Sequence, residues 1–247
     1  MKTKFFASIV IAIFFLMANG ATAQKVGKLT DDMVKTFVEY RLIKNKLLVN
    51  DNIQVAVANK VVTLTGVVPT LDGKRCAGAE AQKVEENYTI VNNLTVQVST
   101  LTDSKIAENV MKRIQGYMFY SVFDWVTVDV NKGVVTLSGW ANLPWTASQI
   151  VKVVEKVEGV QSVNNQIQKE SGSDEIRYRA LRAIYSDIMF EPYAYQLDPP
   201  INIIVNGANI DLMGTVASKV EKKWAENLAA FGTDAVNVTN NLMVTGK

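Results

Sequence analysis

Few residues in this chain could do covalent or metal chemistry. It has no histidine and a single cysteine, Cys76. Without histidine there is no Ser-His-Asp or Cys-His arrangement and no imidazole metal ligand. Cys76 follows Lys74 and Arg75 near the expected start of a helix. Both settings lower a thiol pKa, which would suit redox chemistry or an intermolecular disulfide. The flanking Ala77, Ala79 and Ala81 suit a small packing residue better. Asp124, Asp129 and Asp198 lack the spacing of a calcium loop or of paired catalytic carboxylates, and no phosphate-binding glycine loop occurs. The expectation is a protein that is not an enzyme and uses no cofactor or metal.

Binding chemistry is better represented, in two groups of residues. Trp125, Trp140 and Trp145 lie close together, with Tyr117, Phe119, Tyr120 and Phe123 just upstream. Aromatics at the ends of elements insert at membrane interfaces or anchor partners, and they also cap thin cores. Arg177, Arg179 and Arg182 share one predicted helix with Tyr178 and Tyr185. A basic face edged by aromatics suits acidic phospholipid headgroups, while Asp174 and Glu175 offer local salt bridges instead.

The elements that position these residues repeat. Val126 to Gly139, VTVDVNKGVVTLSG, alternates apolar and polar residues around Asn131-Lys132-Gly133 and reads as a β-hairpin. The pattern recurs at Ile53 to Gly66 and at Ile201 to Gly214. Closing glycines Gly66, Gly139 and Gly214 are 73 and 75 residues apart. The pairs Asn92-Asn93, Asn164-Asn165 and Asn240-Asn241 keep step with them. A period this long lets each copy hold its own core.

Each hairpin is preceded by an amphipathic pattern: Val34, Val38 and Leu42, with Phe37 beside them; Ile106, Val110, Ile114 and Tyr117; Ile176, Ala180, Ile184 and Ile188. Thr30, Thr102 and Ser173, each followed by aspartate, suit the N-termini. A second helix follows each hairpin. Its expected core faces are Ala77, Ala81, Val84 and Tyr88; then Ala147, Ile150, Val151, Val154 and Val157 after Pro144; then Val220, Trp224 and Leu228. Short strands close the units at Asn93 to Val98, Val163 to Gln168 and Asn241 to Val244. The fold class is α+β: three tandem αββαβ domains at 29–98, 102–169 and 173–245. In each, two helices pack on a three-stranded mixed sheet. Lys169 to Ser173, KESGS, has the composition of a flexible linker.

Residues 1–23 have a basic start, an apolar run from Phe5 to Met17 and a small-x-small site at Ala21-Thr22-Ala23. That is the pattern of a cleaved secretory signal peptide. The later sequence carries no apolar run long enough to span a bilayer. Discounting Lys2 and Lys4, basic and acidic residues balance at 24 each. A neutral chain gives no footing for nucleic acid.

Lys132 to Gly139, KGVVTLSG, and Val157 to Asn165, VEGVQSVNN, closely resemble the BON domain family. The first copy carries VVTLTG and IVNNLTV, with Asn87 where a glycine would precede the strand; the third has IDLMG for VTLSG. The resemblance implies a periplasmic protein with no catalytic machinery. It further implies association with envelope phospholipids and support of envelope integrity or osmotic stress tolerance. Holdase chaperone activity, or scaffolding of unfolded or envelope proteins, is the alternative. The repeated glycines would then be fold determinants, and Trp125, Trp140, Trp145, Arg177, Arg179 and Arg182 the candidate lipid or partner contacts.

Overall fold

A two-residue turn sets each hairpin. In the computed structural model, which describes residues 29–48, 52–83, 87–196 and 198–246, Lys132 and Gly133 take positive φ (50° and 75°), as do Asn59 and Lys60 in the first copy. The expected signal peptide (1–23) and Val84 lie outside the described residues. Asn131, expected in the turn, is instead the last strand residue and pairs with Val134. The carboxylate of Asp103 ties this turn down. It accepts from the backbone N–H of Lys132 at 2.8 Å and of Gly133 at 3.0 Å. Asp31 serves the first turn in the same way, through Asn59 N–H at 3.0 Å.

Unit one runs α1 (Asp31–Lys44), β1 (Asn52–Ala58), β2 (Val61–Val68), α2 (Leu71–Gln82) and β3 (Thr89–Val96). Unit two runs α3 (Asp103–Gln115), β4 (Trp125–Asn131), β5 (Val134–Ala141), α4 (Thr146–Val154) and β6 (Ser162–Lys169). Unit three runs α5 (Asp174–Tyr185), the short α6 (Glu191–Ala194), β7 (Ile201–Asn206), β8 (Asn209–Val216) and α7 (Lys219–Gly232). It closes with β9 (Asn237–Asn240) and β10 (Met243–Val244). Thr30, Thr102 and Ser173 cap the first helices through their hydroxyls, as their types demand.

Register is the same in all three units. Hairpin partners are offset alike: Ile53 with Gly66, Val126 with Gly139, Ile201 with Gly214. The last strand pairs parallel to the second, again with one offset: Val61 with Thr89, Val134 with Ser162, Asn209 with Asn237. β9 and β10 keep that offset and form one interrupted strand, since Met243 faces Thr215. The closing glycines keep the ladder in register and lie against the partner strand. Gly66, Gly139 and Gly214 have φ of 128°, 122° and 106°, and a Cβ there would strike the carbonyl of residue 52, 125 or 200 on the partner strand.

Apolar residues on the helix-facing side of each sheet build three cores. Val126, Leu137, Ile150 and Val154 centre the second, and Ile201, Ile203, Val205 and Leu212 the third. Several helices depart from expectation. α2 ends at Gln82 and α3 at Gln115, so Tyr88 and Tyr117 follow these helices rather than lie on their core faces. α4 starts at Thr146, with Pro144 outside it and Trp145 at the cap position. α7 turns Ala225 and Ala229 inward, not Val220 and Trp224. The small residues let α7 lie close to α5, where Gly232 meets Ala183 so tightly that a Cβ would not fit. Ile188 follows the end of α5 and is exposed rather than part of its core stripe.

The segment KESGS is a packed joint rather than a loose tether. Glu170 is buried, its N–H bonds Ala141 O at 3.0 Å, and Gly172 sits against the backbone of Val205. Unit two also reaches into unit three. Phe123 is buried within the third core, Val122 O accepts from Ile203 N–H at 2.7 Å, and Asp124 O accepts from the Asn202 side chain at 2.9 Å. Units one and two meet through Leu71, which packs on both cores, and through Arg75, whose Nε lies 2.6 Å from Glu155.

Candidate interaction surface

The six residues singled out from the sequence meet different fates. Trp125 and Trp140 are cross-strand partners at the open end of the second hairpin, on the sheet side away from the helices. Both are half-buried, whereas Trp145 is 51% exposed. Arg177 is withdrawn from any surface: its side chain is 3% exposed and ion-paired to Glu170 at 2.8 Å. Its guanidinium also binds Asp174 and lies 5.7 Å from the Phe123 ring centre. Arg179 is half-exposed but committed to Glu175 at 2.9 Å and Asp234 at 2.6 Å. Arg182 is exposed and has no ion-pair partner among the described residues. It lines a shallow hollow of about 410 Å³ with Val122, Tyr178, Leu181 and Tyr185. The Tyr185 hydroxyl is held in place by donating to Ile201 O at 2.6 Å.

A second surface escaped the sequence reading. Because α7 faces the core with alanines, Val220, Trp224 and Phe231 form an exposed stripe along its outer side. Phe231 is 89% exposed, an unusual position for a large aromatic in a folded domain. Met189 joins Val220 and Trp224 around a groove with Lys219, Lys223 and Asn227, and the preceding Ile188 is exposed as well. Lys223 pairs with Glu226, while Lys219 has no ion-pair partner among the described residues. The clue in the sequence was the adjacent Ala225–Ala229 stripe. Two apolar stripes on one helix cannot both face a single sheet.

Cys76 is not an activated thiol. Burial pushes its pKa up, and the neighbouring charge of Asp72, whose Oδ1 lies 3.7 Å from Sγ, pushes it further. Arg75 lowers it as expected, but by less than burial and Asp72 raise it, and its guanidinium is itself bound by Asp72 and Glu155. Among the described residues no cluster of acids and cysteine could hold a metal ion, and no helix is long and apolar enough to cross a membrane.

Three sheets of one register, each covered by two helices on one face, define a tandem of small αββαβ domains. The BON domain profile matches residues 30–98, 102–170 and 194–246. The chain belongs to the BON domain family. The third match begins after α5, which the structure nevertheless packs as the first helix of unit three. The intervening Phe190–Pro200 segment, longer than in the other units, separates that helix from its hairpin.

The chain is 27% identical over 165 residues to osmotically-inducible protein Y of Escherichia coli (strain K12), covering 65% of this chain and 79% of that protein. Among solved structures it is similar to the C-terminal domain of CdsD, the structural protein of the type III secretion system of Chlamydia trachomatis. There the identity is 10%, the coverage 84% of this chain and 95% of that one, and the TM-score 0.26. The PrgH periplasmic domain aligns at 7% identity over 80% of this chain and 97% of that one, with a TM-score of 0.23. Superpositions this loose carry nothing about arrangement or role.

Proposed function

We propose that this is an exported, periplasmic binding protein without catalytic activity that associates with envelope phospholipid and supports tolerance of osmotic stress. The observation that carries the reading is the exposed stripe Val220–Trp224–Phe231 on α7, with Ile188 and Met189 beside it and Lys219 at its edge. Apolar side chains enter the acyl boundary while lysines meet anionic headgroups. Arg182, on the neighbouring α5, adds a cation on the same helical layer of unit three. Similarity to an osmotically-inducible protein supports the stress role. The packed joint between units two and three means that these two act as one body, not as independent sites on a flexible string.

Flotation of the purified protein with vesicles of graded anionic lipid content tests this. Binding that rises with anionic content and weakens with salt supports the proposal. Absence of binding at every composition, with suppressed aggregation of an unfolded client, would replace it with a holdase role.

A further inference from the structure

The joint between units two and three holds an imbalance of charge. Glu170 and Asp124 are both buried, and Arg177, buried as well and paired to Glu170, is the cation whose charge acts on both. Asp124 is fully provided with donors. Its Oδ2 accepts from Ser121 N–H and Oγ–H, each at 2.9 Å, and its Oδ1 from Asn142 N–H at 2.9 Å. Glu170 is not. Oε2 takes both bonds from Arg177, Nε at 3.2 Å and Nη2 at 2.8 Å, while Oε1 is buried with no hydrogen-bond partner. An ionised oxygen left without a donor in a dry site is costly, and a proton on it removes most of that cost.

We propose that docking of unit three on unit two is coupled to uptake of one proton by Glu170, so that the joint is tight in mildly acidic surroundings and loosens as pH rises. The groups around Glu170 come from every element at the joint. α5 supplies Arg177, with Asp174 on the outer side of the guanidinium. The segment before β4 supplies Asp124, whose negative charge opposes ionisation of Glu170. β7 supplies the Val205 N–H, which faces the carboxyl without meeting hydrogen-bond geometry at Oε1 and favours ionisation less than burial opposes it, and the linker supplies the Gly172 carbonyl, which shares Arg177 Nη2 at 3.4 Å. Lys169 is exposed.

Burial outweighs Arg177 and raises the Glu170 pKa from 4.5 to about 7. Burial also raises Asp124. The sign follows from these directions. A carboxyl held above its unfolded value binds its proton more tightly in the docked state. The stabilisation is complete below the ordinary glutamate range and is lost as pH rises through about 7. Arg177 also contacts Asp174, whose side chain is 83% exposed at the outer side of the joint.

Two measurements on the intact protein decide the matter. Carbon-13 NMR of glutamate side chains should show one carboxyl titrating near neutral pH, and that signal should be absent in Glu170→Gln. Hydrogen exchange at Ile203 N–H, corrected for intrinsic rates, should report the joint opening at least ~10-fold more often at pH 8 than at pH 5.5, below a ceiling of roughly 300-fold set by the two pKa values. Glu170→Gln, neutral and of the same shape, should lose most of that pH dependence, the remainder coming from Asp124. All glutamates titrating below pH 6, or an unchanged pH dependence in Glu170→Gln, would overturn the proposal. If Glu170→Gln does not fold, the wild-type titration decides alone. This device does not depend on what the α7 stripe binds.

Discussion

Replacing Phe123 with alanine should unfold a domain to which Phe123 does not belong by sequence. The residue precedes β4 of unit two, yet it is 8% exposed within the core of unit three, beside Ile201, Ile203 and Ala180. Emptying a buried phenylalanine site costs about 3–5 kcal/mol. The edge-to-face contact with Tyr178, ring centres 5.5 Å apart, is worth roughly 0.5–1.5 kcal/mol within that total. Taking about 4 kcal/mol and a urea dependence of about 1–2 kcal/mol per molar for so small a unit, the midpoint of unit three should fall by about 2–4 M. Hydrogen exchange at Ile210 and Leu212 under a urea series reads unit three, and Val62 and Leu64 read unit one as the control. A loss at Ile210 and Leu212 with unit one unmoved is expected. A midpoint shift below about 0.5 M, or equal loss in unit one, would refute the claim that unit two contributes to the third core.

Other consequences are smaller but as definite. Gly139→Ala should destabilise unit two by at least ~2 kcal/mol in chemical denaturation, because φ is 122° and the Trp125 carbonyl occupies the Cβ position. Gly207→Ala, with nothing near its Cβ, should cost only about 1 kcal/mol. Asp103→Ala removes the acceptor of two turn N–H groups and should cost about 1.5–3 kcal/mol, again read from unfolding of unit two. Cys76, with its thiol pKa raised by burial and by Asp72, should alkylate with iodoacetamide at pH 8 several-fold more slowly than a free thiol, and at the ordinary rate in urea; rapid labelling of the native protein would contradict the packing role.

The repeat was legible because it is written in short-range chemistry. Period-two alternation placed Val126, Leu137, Ile203 and Leu212 inward. Thr30, Thr102 and Ser173 marked helix starts through the donors they satisfy. The equal spacing of closing glycines reflects a partner-strand carbonyl that excludes any Cβ. Other features depend on contacts no local pattern encodes. Helical periodicity shows that α7 has an apolar face but not which face turns inward. There the choice falls to Ala225 and Ala229, because only small residues allow the approach to α5. KESGS reads as a linker by composition, and only the fold brings Val205, Ala141 and Arg177 to it. Arg177 looks like one of three surface cations until Glu170, seven residues earlier, is seen to bury it.

The proposed lipid surface is tested most directly by comparing two variants on one set of anionic vesicles. The triple change Val220→Ser, Trp224→Ser and Phe231→Ser alters the outer side of α7 and no member of the third core, Trp224 being the most covered of the three at 39% exposed, and should keep a cooperative unfolding transition. Each apolar group moved from water into the interface is worth on the order of 1 kcal/mol, so binding should weaken by roughly 100-fold. Trp145→Ser, at the exposed aromatic end of unit two, should leave affinity within about twofold. Undiminished binding of the triple variant, or loss of binding on changing Trp145 alone, would contradict the assignment of the α7 stripe as the membrane-facing surface.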